Sequence, residues 1–197
     1  MKKTLSLMAV ALVAVLAACG SNSSDTAGGS DATTASTTAT NTFNNADVMF
    51  AQMMIPHHEQ AIEMSDMALD PTMGASEEIL DLATQIKDAQ DPEITQMKNL
   101  LMAWNKPEAA DSGMDHSSMM SGMMSSDEMA ELGKKMGKDF DVAWAEAMIA
   151  HHEGAIEMAN TVLDDGTNAD IRALAQAVIK GQQAEIETLR SLVAAAK

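Results

Sequence analysis

The chain has 197 residues, a formal charge of −17 and a single cysteine. That acidity argues against nucleic acid as a partner, because phosphates would be repelled, and one cysteine excludes an intramolecular disulfide. Apolar residues make up 46% but aromatics only 3%, with 19 methionines, so a core built from this chain is aliphatic and Met-rich.

In chain order, residues 1–18 read as a secretory signal. Lys2 and Lys3 give the positive start, Leu5 to Leu16 a short apolar run, and small residues lead to Cys19. The run is too short for a transmembrane helix. Leu16-Ala17-Ala18-Cys19-Gly20 resembles a bacterial lipobox. That resemblance implies cleavage before Cys19, lipidation of Cys19 and an extracytoplasmic protein held at the cell membrane. Residues 19–43 are mostly Ser, Thr, Ala, Gly and Asn. They carry too little apolar bulk to offset chain entropy and read as a flexible tether.

Residues 44–104 read as a helical hairpin. Phe50, Met54, His57, Ala61, Met64 and Ala68 recur at steps of four and three, a seam suited to bundle packing. Asp70-Pro71 and Gly74 break the chain, and Ser76 before Glu77-Glu78 is the expected cap of a second helix. That helix runs to about Trp104 through Ile79, Leu82, Ile86, Ile94, Met97 and Leu101, with an expected kink at Pro92. Residues 105–125 lose the period and form a crossover rich in Met and His. Residues 126–197 hold a short helix, Asp127 to Met136, capped by Ser126 and ended by Gly137, and then a second hairpin. Its first helix carries Trp144, Met148, His151, Ala155, Met158 and Val162. Asn168 caps its second, which carries Ile171, Leu174, Val178, Ile186, Leu189 and Val193.

The two hairpins are copies. Met54-Ile55-Pro56-His57-His58-Glu59-Gln60-Ala61-Ile62-Glu63-Met64 recurs as Met148-Ile149-Ala150-His151-His152-Glu153-Gly154-Ala155-Ile156-Glu157-Met158. Asp47 matches Asp141 and Phe50 matches Trp144; after a loop two residues shorter, Gln90 and Glu93-Ile94 match Gln182 and Glu185-Ile186. No stretch alternates as a strand does. The expectation is an all-α four-helix bundle over residues 44–197, with the two hairpins related by a pseudo-twofold.

The repeated histidine pairs are the candidate chemistry. Adjacent helical residues point about 100° apart, so His57 and His58, like His151 and His152, straddle the seam. Met53, Met54 and Met64 in one copy, and Met148 and Met158 in the other, lie at helical spacings that share their surface. The competing reading is a hydrogen-bonded interior network with methionine as core filler. The crossover adds Met114, His116, Met119, Met120, Met123 and Met124, in a segment expected to be too polar and broken to pack. Thioethers select soft ions such as Cu(I), and imidazole is an acceptable companion. The zinc-protease pattern fails because Ile62 and Ile156 stand where a second His is needed. The Glu-x-x-His of di-iron bundles is missing before His58, and no catalytic motif emerges.

Phe140-Asp141, Met148-Ile149-x-His151-His152-x-x-Ala155-Ile156-x-Met158 and the matching Met54 to Met64 resemble the family called domain of unknown function 305. The resemblance spans roughly residues 45–197. It implies a ferritin-like four-helix bundle, exported and often lipid-anchored, some of whose members, of the CopM type, bind copper or silver through Met and His. The run from Met114 to Met119 is similar to Met-rich motifs of copper-resistance proteins. The expected function is therefore lipid-anchored sequestration or tolerance of Cu(I), with Ag(I) as its surrogate. The expected partners are the metal ion and, through the lipid, the membrane. The alternatives are a ferritin-like metal oxidoreductase and a metal-free interaction module.

Overall fold

The computed structural model describes residues 42–110 and 120–196. The expected signal, Cys19 and most of the expected tether lie outside the described residues, as do Met114, His116 and Met119. Five α-helices are present: α1 Asn45–Leu69, α2 Glu77–Ala103, α3 Ser126–Leu132, α4 Gly137–Asp165 and α5 Ala169–Ala195, with a 3-10 turn at Pro71–Met73 and no strand among the described residues. Four long helices form the bundle and α3 is an accessory turn on one flank.

Local chemistry sets the boundaries. A capping box opens α1: the Asp47 N–H donates to the Asn44 side chain at 3.1 Å and the Asn44 N–H donates to Asp47 at 2.8 Å. Asp70 accepts from the Thr72 N–H at 2.8 Å, and Gly74 takes a left-handed φ of 63° that ends the turn. Asn168 caps α5 through the N–H groups of Asp170 and Ile171. The short helix differs from its expectation. Ser125, not Ser126, caps it in a capping box with Glu128, and it stops at Leu132. Gly137 opens α4 instead of closing α3. Pro92 sits on an exposed face and α2 is continuous across it, so it costs a backbone bond and not the helix.

The hairpins cap one another. Asp47 of α1 accepts from the N–H groups of Thr167 and Asn168, both at 3.1 Å, where α5 begins. Its repeat equivalent, Asp141 of α4, accepts from the Ser76 N–H at 3.2 Å, where α2 begins. Ser76 makes no side-chain cap of its own; the carboxylate from the other hairpin takes that role, favoured by the unpaired N–H groups and positive end of the helix.

The core divides into two apolar clusters. One uses Val48 to Ile55, Ile94 to Leu101, Ala155 to Val162 and Ile171 to Val178. The other uses Ala61 to Ala68, Ile79 to Ile86, Phe140 to Met148, Leu189 and Val193, with Met129 and Leu132 of α3. α1 therefore runs from the first cluster to the second and α4 runs the opposite way, as a pseudo-twofold across the bundle requires. α1 packs on α2, α4 on α5, and α1 on α4. Trp144 ties the two inner helices together by donating its indole N–H to the Met64 carbonyl at 2.8 Å.

Candidate metal centre

Between the two clusters every long helix turns polar at the same level. α1 contributes His57 and His58, α2 Gln90 and Glu93, α4 His151 and His152, and α5 Gln182 and Glu185. All four histidines are fully buried, and both glutamines nearly so. The repeat-equivalent rings of His57 and His151 meet with centroids 3.8 Å apart, so the pseudo-twofold passes between them. The seam spacing puts His57 and His151 at this crossing, and the adjacent His58 and His152 turn toward the outer helices.

Each outer histidine meets a carboxylate of its own hairpin. His58 Nε2 lies 2.8 Å from Glu93 Oε2, and His152 Nε2 lies 2.7 Å from Glu185 Oε2, the latter close but out of line for a hydrogen bond. His57 Nε2 donates to the Ser121 carbonyl of the crossover at 3.2 Å. His151 makes no well-aligned hydrogen bond on either nitrogen, although the His57 backbone lies close enough to offset part of the fall in its pKa. Burial is the main reason that the His57 pKa falls to about 4, and the nearby His58 and His152 add to the fall. The same burial, with His57, His152 and His58 close by, holds His151 well below its ordinary value. His57 and His151 are therefore neutral at pH 7.

The imidazole nitrogens are the groups that could hold a metal ion. A carbonyl can only accept, so the single proton of neutral His57 sits on Nε2 and its Nδ1 carries a bare lone pair. Glu93 imposes the same arrangement on the neutral form of His58. In all four histidines Nδ1 is buried without a hydrogen-bond partner. A buried polar atom left unpaired costs about 1–3 kcal/mol, and the unpaired amides of Gln90 and Gln182 add to that cost. Ligand histidines commonly have one nitrogen held by a carboxylate or carbonyl, leaving the other for the metal. Among the described residues no group of three or more His, Cys, Asp or Glu converges as a metal-binding cluster.

The methionines divide. Met54 packs in the first apolar cluster, and Met64 and Met148 in the second. Met53 and Met158 line a cavity of about 310 Å³ with Met49, Phe50, Glu157 and Ser121. The crossover does pack where it is described: Met120, Met123 and Met124 are half-buried, with Met124 against the second cluster. Backbone contacts to α1 and α4 seat it despite its polar composition. Gln90, Glu93, Gln182 and Glu185 are absent from the sequence-based candidates. Their signal is a polar residue on or beside an apolar seam, repeated in both copies. Glu59 and Glu153 are exposed and pair with Lys98 at 2.9 Å and Arg190 at 2.6 Å.

Solved structures share this architecture. A DUF305 protein from Streptomyces coelicolor, described as secreted, is 32% identical over 77% of this chain and 93% of its own, with a TM-score of 0.71. A DUF305 fragment from Deinococcus radiodurans is 28% identical over 77% and 97%, with a TM-score of 0.68. CopM in its Cu(II)-bound form is 28% identical over 77% and 97%, with a TM-score of 0.64; the same protein is also known with Cu(I) and with Ag bound. Among curated proteins none matches the chain. The model of the domain of unknown function DUF305 matches residues 47–193, which takes in both hairpins, both histidine pairs and the polar layer, and the chain belongs to that family.

Proposed function

We propose that this protein binds a soft monovalent ion, Cu(I) with Ag(I) as its surrogate, in the histidine layer at the middle of the bundle. Its role would be to sequester the ion outside the cytoplasm and so support metal tolerance. The observation that carries the reading is the set of four buried Nδ1 atoms without partners. A structural histidine network satisfies its own polar atoms; this one leaves a ring nitrogen of every histidine unpaired. CopM, a relative solved with Cu(I), Cu(II) and Ag, supports the choice of metal. Glu93 and Glu185 each sit against a histidine, which speaks against a carboxylate-bridged redox centre. Met49, Met53 and Met158 line a cavity whose wall includes Ser121, the residue whose carbonyl meets His57, and would supply thioethers on the approach to the layer. Protein purified without a His tag and loaded with Ag(I) should retain the ion through gel filtration; elution free of silver would refute the reading.

Two further predictions belong to this reading. The anchor rests on the lipobox-like residues before Cys19. Cys19→Ala should release the protein from the membrane fraction or leave an unprocessed precursor, and an unchanged mass with unchanged detergent partitioning would show that no lipid was attached. The crossover is proposed to add ion capacity through Met114, His116 and Met119, with Met120, Met123 and Met124 at its seated end. Changing Met114 and Met119 to Leu should lower Ag(I) stoichiometry in a chelator competition and leave the apo melting temperature unchanged. Met124→Leu should lower stability, because Met124 packs on the core. Equal stoichiometry in wild type and the Met114/Met119 variant would reduce that part of the crossover to a connection.

A further inference from the structure

The crossover breaks the internal symmetry at one repeated position. Gln60 of α1 aligns with Gly154 of α4, and both meet the same strip of crossover backbone. Gln60 grips it with two hydrogen bonds: the Met124 N–H donates to the Gln60 side-chain oxygen at 2.8 Å, and the Gln60 amide donates to the Met124 carbonyl at 2.8 Å. Gly154 admits it by lacking a side chain. A Cβ there would lie 1.7 Å from the Ser121 carbonyl oxygen and 2.5 Å from its carbon. Gly122 makes the reciprocal approach at a φ of +83°, where a Cβ would lie 2.2 Å from the Ala150 carbonyl oxygen. The two glycines bring crossover backbone onto α4, and Gln60 fixes its far end on α1. Ser121 is thereby set with its carbonyl on His57 Nε2.

We propose that Gly154 and Gln60 are positioning residues for the ion. By seating the strap Ser121–Met124 they make the Ser121 carbonyl hold His57 in the tautomer whose Nδ1 is the bare donor. The proposal rests on the soft-metal reading of the histidine layer, but its first consequence is visible without metal. His58 and His152 meet carboxylates of their own hairpins, whereas His57 depends on a backbone carbonyl brought in by the crossover. The strap carbonyl meets only one of the two rings on the pseudo-twofold, that of His57. The two central imidazoles are therefore inequivalent: the strap fixes the tautomer of His57 and leaves that of His151 to other contacts.

Nitrogen-15 NMR of the imidazoles in the full apo chain tests the proposal, together with an Ag(I) titration. Wild type should show His57 protonated at Nε2 with a bare Nδ1. Gly154→Ala, and separately Gln60→Ala, should turn that signature into a tautomer mixture. Both should also weaken Ag(I) binding by about 10–100-fold, the range for losing a group that orients a ligand histidine. Gly181→Ala is the control, because a Cβ there meets nothing within 4 Å; it should leave both readouts at wild-type values. Gln60→Ala creates no clash, so it reads the same contact if Gly154→Ala does not fold. Wild-type nitrogen signals in Gln60→Ala would overturn the proposal. Altered signals with unchanged silver affinity would overturn the link to the ion. A wild type that binds no silver would refute the metal reading itself, and the nitrogen signals would then still decide whether the strap sets the tautomer.

Discussion

Silver(I) should raise the melting temperature of the wild-type protein by roughly 5–10 °C, and the paired substitution His57→Ala with His151→Ala should abolish most of that rise. A ligand that binds only the folded state stabilises by RT ln(1 + [L]/Kd), roughly 2.7 kcal/mol at a hundredfold excess over Kd. For a domain of this size about 2–4 °C accompanies each kcal/mol. Cu(I) should act like Ag(I), and Zn(II) should do less, because thioethers are poor zinc ligands. The apo double variant should lose only the usual 0.5–3 kcal/mol per truncated side chain, a rough range. His57 makes one hydrogen bond of 3.2 Å and His151 none of good geometry, so few partners are stranded when the rings go. A structural network would give the opposite pattern, with a badly destabilised apo protein and no silver response to lose. Melting curves of both proteins, with and without silver, separate the two, and a wild type unmoved by either soft ion would end the case for a metal in the layer.

Much of this fold can be read from the sequence because a bundle seam and an internal repeat are both local patterns. The steps through Phe50, Met54, His57, Ala61, Met64 and Ala68 name side chains that are all buried, and the same holds for Ile79 to Leu101 on α2 and Ile171 to Val193 on α5. What a local pattern cannot show is which long-range partner completes a cap or a site. The match of Asp47 with Asp141 is visible in the sequence, but its reason is not: each carboxylate caps the second helix of the other hairpin. The pairings of His58 with Glu93 and His152 with Glu185 also cross between helices. Glu93 and Glu185 recur in the repeat, yet a repeated glutamate on a helix reads first as a solvated residue, as Glu59 and Glu153 in fact are. Gln90 is the better clue. It lies four residues after Ile86 and four before Ile94, in the middle of an apolar seam, and its equivalent Gln182 is likewise polar and buried. The crossover packs against the expectation from its polar residues, because composition alone says nothing of an approach between two glycines and a helix backbone.

Mild acid should destabilise the apo protein, and His57 should account for a measurable share of the loss. Its pKa falls from 6.5 to about 4 on folding, so between those values the unfolded chain binds more protons than the folded one. Stability then rises with pH through this window, is fully present above pH 6.5 and is lost as pH falls toward 4. Each tenfold difference in proton affinity between the folded and unfolded chain is worth about 1.4 kcal/mol, so His57 contributes roughly 3 kcal/mol. That corresponds to roughly 6–12 °C of melting temperature. His151, lowered in the same direction by the same burial, steepens the slope. His57→Gln cannot take up a proton, so its melting temperature should fall less between pH 7 and 4.5 than that of wild type; carboxylates elsewhere titrate equally in both and cancel in the difference. Parallel curves would mean that His57 is solvated or charged in the fold, contrary to its full burial. The lowered pKa also bears on function. A ligand histidine binds metal as the neutral imidazole, and His57 stays neutral in the folded protein well below pH 6.5. Silver affinity should therefore remain nearly flat from pH 7 to 5, while a site of exposed histidines would lose affinity across that range. The layer that costs stability in acid is, on this account, what keeps the ion bound there.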